Sequence, residues 1–214
     1  MLALRALAAL LGYPDPELRA ALPEIADALK TARGIPRADQ NALFGLIGEI
    51  AAAEELEAEE RYVGLFDRGQ ATSLNLFEHL HGVDRDRGQA MAELKQIYER
   101  AGFTLTASEL PDYLPVLLEY LSQRDEAEIR DMLGDCAHIV RSIGEALVKR
   151  GSRYAAVLDA VLRIAGQAPL DRARAARRPV ERRDPDRDWA ERPAFETDAA
   201  ATGNDPRSSF RRRS

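Results

Sequence analysis

The stretch Asp125–Arg150 reads DEAEIRDMLGDCAHIVRSIGEALVKR. Ile129, Met132, Leu133, Cys136, Ile139, Val140, Ile143 and Leu147 recur at spacings of three and four, the period of one helix face. A helix carrying so long an apolar stripe must have it covered by neighbours. The composition supplies helical ones: Ala and Leu number 63 of 214 residues, against 23 for Val, Ile and Thr. Ala and Leu favour helix, whereas β-branched residues favour strand. The expected fold class is all-α, a single-domain helical bundle of about eight to ten helices.

Toward the N-terminus, the pattern predicts a buried helix over Leu2–Leu11 and a second from Pro16 to about Thr31, with Asp15 as its N-cap and Pro23 placed to kink it. A third covers Arg37–Ala53. The acidic run Glu54–Arg61 reads as a solvated helix face leading into Tyr62-Val63-Gly64-Leu65-Phe66. Asp67-Arg68-Gly69 breaks that helix, and the next is expected over Ala71–His81, closed by Gly82. Further helices are expected over Arg85–Ala101, Tyr113–Ser122 and, beyond the long one, Tyr154–Ala168. From residue 171 the chain turns rich in Arg, Asp, Pro and Ala and poor in apolar residues, so a helical domain over 1–170 and a disordered tail over 171–214 are expected.

Composition narrows the function. Residues 1–170 carry 18 basic and 27 acidic side chains, an acidic body that repels nucleic acid phosphates and favours a basic partner. The tail carries 12 Arg against nine acidic residues. A helical DNA-binding regulator conflicts with the charge of the body. The single cysteine, Cys136, rules out a disulfide framework and a thiolate zinc site, and it lies on the apolar stripe as a small hydrophobe. Arg5 interrupts the apolar N-terminal run, which reads as a first helix and not a signal peptide. No apolar run is long enough for a transmembrane span, so no stable membrane association is expected.

No catalytic constellation emerges. His79 and His81 on one helix point about 200° apart and cannot share a metal. Glu78 and His81 form one Glu-x-x-His unit, but a di-iron bundle needs two such units and two more Glu. A metal-dependent helical enzyme built on Glu78 and His81 stands as the alternative from another class. Ser73 is not in a nucleophile elbow, and no phosphate-binding glycine motif occurs. No catalytic residue, metal ligand or cofactor is assigned, and the chain is expected not to be an enzyme.

Binding suits the residues better than chemistry, with the aromatics as ordinary core and the acids as ordinary surface the other reading. Tyr62 and Phe66 lie four apart beside Leu65, and Leu74 and Phe77 would share a helix face. Asp112 and Glu119 are seven apart, as are Tyr113 and Tyr120, so each pair would project from one face two turns apart. Apolar and acidic strips side by side suit an amphipathic basic segment laid in as a helix.

These residues carry a resemblance. LFDRGQATSLNLFEHLHGVDRDRGQAMAELKQIYERAG, Leu65–Gly102, resembles the central signature of the NarJ-type nitrate reductase molybdenum cofactor assembly chaperones, the nitrate reductase delta subunit family related to the TorD/DmsD molybdoenzyme chaperones. ELPDYLPVLLEYLS, Glu109–Ser122, is similar to its second signature, Leu10-Leu11-Gly12-Tyr13-Pro14 to its opening, and Trp189-Ala190-Glu191-Arg192-Pro193 to its ending. The resemblance implies a cytoplasmic all-helical chaperone without a cofactor of its own. It would bind the N-terminal segment of the nitrate reductase alpha subunit, in the apo alpha–beta complex, while molybdenum cofactor and an iron–sulfur cluster are inserted. It would also meet molybdenum cofactor biosynthesis proteins, and would then leave. A permanent structural subunit of the reductase is a further alternative. In related chaperones an Asp-His pair is followed by a Glu. Asp112 and Glu119 match the acids and Tyr113 stands at the His place, where it can hydrogen-bond and stack but does not titrate near neutral pH. The expected peptide-binding residues are Tyr62, Phe66, Asp67, Arg68, Phe77, Glu78, His81, Asp112, Tyr113, Glu119 and Tyr120. Among them Tyr62, Phe66 and Phe77 are expected to grip the apolar side of the peptide, and Asp67, Glu78, Asp112 and Glu119 to meet its basic residues.

Overall fold

In a computed structural model of the protein, the described residues are 1–80, 84–105 and 109–177, with side chains except at 84–86. They form α1 (Leu2–Leu10), α2 (Pro16–Lys30), α3 (Arg37–Ala52), α4 (Glu55–Phe66), α5 (Asp84–Arg100), α6 (Leu114–Leu121), α7 (Glu126–Lys149), α8 (Ala155–Ile164) and α9 (Arg172–Arg177). Among the described residues there is no strand, only one isolated antiparallel bridge between Asn75 and Tyr113. The all-α expectation therefore holds.

The helices that are apolar on most sides occupy the centre. α1 buries Ala3, Leu4, Ala6, Leu7, Ala8 and Leu10, and packs against α2, α6 and α8. α8 buries every residue except Arg163, and its faces meet α1, α3 and α7. Each fully buried leucine of this centre contributes about 2 kcal/mol. α7 lies across α8, with Ile129, Leu133, Val140, Ile143 and Leu147 turned inward as the stripe requires. Cys136 is half-buried, and burial pushes its thiol up to about 11, so it is an inert packing residue.

Local chemistry sets the helix ends. Asp15 accepts the Leu18 amide at 2.7 Å and Asp125 the Glu128 amide at 2.9 Å, each relieving an otherwise unpaired donor of the first turn. Arg19 donates to the carbonyls of Ile50 and Ala53, both at 2.7 Å, and so closes the C-terminal end of α3 from a different helix. α2 runs through Pro23 as one helix.

Three expectations are corrected. The helix expected over Ala71–His81 is instead two short 3-10 turns, Gln70–Thr72 and Leu76–His79, with an extended link between them. Its backbone groups pair elsewhere: the Leu76 amide donates to the Asp112 carbonyl at 3.0 Å, and the Leu114 amide to the Leu74 carbonyl at 2.9 Å. The last long helix stops at Ile164, not Ala168, because the chain turns at Gly166 with φ +72°, a conformation open to glycine. The ordered body does not end at 170. α9 packs on α7, with Leu170 and Ala175 buried. Asp159, itself buried, accepts the Leu170 amide at 2.6 Å and pairs with Arg172 at 3.0 Å. The expected tail beyond Arg177, like His81 and Gly82, lies outside the described residues.

Candidate peptide-binding surface

The end of α4 is stapled before the chain turns. The Thr72 hydroxyl donates to the Leu65 carbonyl, and Arg150 Nη1, from the end of α7, donates to the carbonyls of Gly64 and Leu65, each at 3.1 Å. Gly69 sits inside this knot. A Cβ there would lie 2.4 Å from Thr72 Oγ1, 2.5 Å from the Leu65 carbonyl oxygen and 2.8 Å from Arg150 Nη1. The glycine of the Asp67-Arg68-Gly69 break is thus set by space, not by a left-handed backbone. Asp67 and Arg68 stand exposed on the outer side of the turn.

Behind the turn is an aromatic cluster. Tyr62 packs on Phe66 at 4.8 Å between ring centroids, and both meet Tyr154 edge-on at 6.2 and 5.1 Å. The Tyr62 hydroxyl donates to the Leu11 carbonyl at 2.7 Å and lies 3.2 Å from the Tyr113 hydroxyl. Burial raises the Tyr62 phenol far above its usual range. Tyr62 and Phe66 were expected to grip a peptide directly. They are buried in the core at 4% and 6% exposure, so they support a surface and do not form one.

The surface itself is built from their neighbours. Tyr13 stacks edge-on against Tyr62 at 5.6 Å and remains 43% exposed. Half-buried Tyr113 follows it. Burial raises the Tyr113 phenol, and the charges of Asp67 and Glu109 push the same way. Burial and the neighbouring Glu59 likewise raise that of Tyr13. Across the Asn75–Tyr113 bridge come half-buried Phe77, exposed Glu78, and two exposed leucines, Leu80 and Leu110. Aromatic residues and carboxylates therefore stand together here, with Phe77 and Tyr113 from the expected set beside Tyr13, and with Tyr62 and Phe66 buried behind them.

Asp112 is the hinge of the arrangement. Its side chain is fully buried, Oδ2 accepts the Phe77 amide at 2.9 Å, and Oδ1 has no hydrogen-bond partner among the described residues. Burial raises its carboxyl above the usual carboxylate range, against the Phe77 hydrogen bond and the charge of Arg87, which lower it. The expectation that Asp112 and Glu119 share a helix face is corrected. Asp112 precedes α6, which begins at Leu114, and is buried, while Glu119 is exposed on the helix. Tyr120 belongs to a separate cluster: it packs on Tyr98 at 4.8 Å and Phe103 at 5.4 Å, under Arg124 at 5.0 Å. Its hydroxyl donates to Glu128, and its phenol is pushed up to about 12, chiefly by burial. It too is core. His79 Nε2 bonds the Ser73 carbonyl at 2.9 Å within its own loop. The helical spacing used for Leu74 with Phe77 does not apply, because that segment is not α-helical, and the pairing of Glu78 with His81 lies outside the described residues.

Sequence reasoning missed Tyr13, Glu109, Leu110 and Arg150. Tyr13 lies in the quoted opening, and Glu109 and Leu110 in the second signature, so a signal was present. Arg150 is a helix-end arginine like any other, and nothing in the sequence ties it to Gly69.

The helical fold carries an aromatic, acid-framed surface held by core contacts, and among the described residues no group of three or more His, Cys, Asp or Glu is placed to hold a metal ion. The chain belongs to the nitrate reductase delta subunit family, whose pattern matches residues 13–159. It is 43% identical over 159 residues to the nitrate reductase molybdenum cofactor assembly chaperone NarJ of Escherichia coli (strain K12), across 74% of this chain and 67% of that protein. It is 36% identical over 165 residues to NarW of the same strain, covering 77% of this chain and 68% of NarW. A NarJ of Bacillus subtilis (strain 168) is 36% identical over 158 residues, 73% of this chain and 84% of that protein. The last two are named as probable nitrate reductase molybdenum cofactor assembly chaperones. These are names of chaperones and not of enzymes.

Proposed function

We propose that this protein is an assembly chaperone for a respiratory nitrate reductase. It binds the N-terminal segment of the catalytic alpha subunit and holds the apoenzyme, with the beta subunit, in the cytoplasm. Molybdenum cofactor and an iron–sulfur cluster are inserted in that state, and the chaperone then departs. The observation that carries the reading is the family match over 13–159, which spans the whole aromatic and acidic surface.

The physics of the surface supports a basic, amphipathic peptide as ligand. Tyr13, Tyr113, Phe77, Leu80 and Leu110 offer apolar area, and Glu59, Asp67, Glu78 and Glu109 offer carboxylates beside it. A helix with apolar residues at i, i+3, i+4 and i+7 and flanking Lys or Arg complements both. Exposed carboxylates contribute modestly each and mostly steer association, whereas the aromatic contacts hold. Among the described residues no helix is long and apolar enough to cross a membrane.

Calorimetry with a synthetic peptide from the N-terminus of the alpha subunit tests the proposal. Saturable one-to-one binding that weakens with added salt is expected, and absence of binding at low ionic strength sinks it. Mature reductase purified from the membrane should lack this chain; stoichiometric retention there would make it a permanent subunit instead.

A further inference from the structure

A second feature lies away from the aromatic surface. The turn after α2, the first turns of α7 and the end of α8 enclose a cleft of about 250 Å³. Arg33, Arg130 and Arg163 line it with a single carboxylate, Glu126, over an apolar floor that includes Ile129 and Ile164. Both isoleucines are buried, at 2% and 8% exposure. Three arginines lining one cleft of an otherwise acidic body mark it as a basic site.

Most of their donors are unspent among the described residues. Arg33 has no hydrogen bond or ion pair among the described residues. Arg130 makes only a 3.6 Å pair with Glu126, and both side chains are mostly exposed, so water and salt keep that pair weak. Arg163 is different. Asp39 accepts from its Nε at 3.0 Å, and both are partly buried. That bond fixes the plane of the guanidinium while leaving its two terminal nitrogens without a partner among the described residues. One arginine is thus oriented in advance and two are free to close on the same space.

We infer that this cleft is a binding site for a small phosphate monoester. The arginine forks match the oxygens of a phosphoryl group, and each can donate two parallel hydrogen bonds to it. The organic part of the ester would lie over Ile129 and Ile164, which gives an ester an advantage over free phosphate. Glu126 faces the same space and opposes an anion, so it limits affinity. The site does not depend on the peptide surface, and it stands or falls separately from the proposed function.

The test is calorimetry of the full chain at low ionic strength with phenyl phosphate and with inorganic phosphate as probes. Saturable binding of phenyl phosphate is expected, about tenfold tighter than inorganic phosphate. Arg33→Ala and Arg130→Ala should each weaken it severalfold, and the double variant should abolish it. Both residues stand at the rim, so folding is checked by an unchanged melting curve. Glu126→Gln should bind several times tighter than the parent. Absence of saturable phenyl phosphate binding, equal affinity for the two probes, unchanged affinity in the double arginine variant, or weaker binding by Glu126→Gln would each overturn the assignment.

Discussion

The Phe77 amide donates to the buried Asp112 carboxylate at 2.9 Å, and this bond joins the two signatures through residues 35 apart in the chain. The Asp112 carbonyl accepts the neighbouring Leu76 amide, so one residue holds the 74–80 segment through both its main chain and its side chain. Leu74, Leu76 and Leu114 are buried beside it. Asp112 is therefore first a structural residue, and its effect on binding runs through Phe77, Glu78 and Tyr113.

Replacing Asp112 should show this as a stability change. Asp112→Ala removes the acceptor of the Phe77 amide and should cost about 2 kcal/mol in urea denaturation. Asp112→Asn keeps the acceptor and should cost less. The pH dependence has a definite sign. Burial raises the folded carboxyl above its unfolded value, so this residue stabilises most below the ordinary carboxylate range. That contribution is lost as pH rises from the ordinary value through the raised one. The parent should lose stability relative to Asp112→Asn across that window and stay level above it. A parent that gains on the variant as pH rises would show the opposite shift.

Tyr62→Phe isolates the hydroxyl that bonds the Leu11 carbonyl. The ring packing against Phe66 and Tyr154 survives, but a buried carbonyl loses its donor. A loss of about 1–2 kcal/mol is expected from chemical denaturation, with peptide affinity nearly unchanged. A peptide-binding loss larger than about tenfold without a change in stability would put Tyr62 in the interface after all.

Much of the fold was legible because period and caps are local. The α7 stripe, the Asp15 cap and the break at Asp67-Arg68-Gly69 follow from residues within a few positions of one another. What failed was non-local. The helical pattern over 71–81 was outcompeted by main-chain pairing to residues 112–114, which no window of that sequence contains. The aromatic residues stand out in the sequence, yet their division into core and surface depends on which other helix covers them. Tyr62 is covered beneath Tyr13, and Tyr120 beneath Tyr98 and Arg124. The tail boundary slipped for the same reason, because Asp159 reaches out of α8 to hold Leu170 and Arg172.

Gly69→Ala tests the knot at the end of α4. The added methyl meets a main-chain carbonyl oxygen at 2.5 Å, which cannot swing away as a side chain can. A cost of about 1–3 kcal/mol is expected, seen in the denaturation midpoint. Arg150→Ala removes the staple to Gly64 and Leu65 and should cost about 1 kcal/mol, less because the arginine is largely exposed. Hydrogen exchange should quicken at Thr72 and Ser73, whose amides close the 3-10 turn that this arginine steadies. Unaltered exchange there would show the staple to be dispensable.

Asp159→Ala should release α9 before the bundle. It deprives the Leu170 amide and Arg172 of their acceptor inside a buried site, at a cost of about 2–3 kcal/mol. The half-exposed Arg172 regains water, which keeps the figure below that of a fully buried pair. Limited proteolysis should then cut between 166 and 177 far faster than in the parent, with helicity elsewhere retained. Equal cleavage rates would mean that Leu170 and Ala175 hold the segment by packing alone.

The acidic residues divide by position, and peptide binding should follow that division. Asp67 lies close enough to Tyr113 to raise its phenol, whereas Glu119 stands exposed on α6, past the segment that frames the surface. If the basic side of the alpha-subunit peptide meets the Tyr13–Tyr113 surface, Asp67→Asn should weaken it about three- to tenfold at low salt. The same change should matter little at 0.5 M salt, on the order of the screening expected of exposed charges. Neither variant touches the core, so both should melt like the parent. Glu119→Gln should have the smaller effect, because its carboxylate would reach only one end of a helix laid across Tyr113 and Phe77. Calorimetry on the two variants decides the orientation. A larger loss from Glu119→Gln than from Asp67→Asn would move the peptide off the Asp67 turn and along α6, with Asp112 then acting only to hold Phe77 in place.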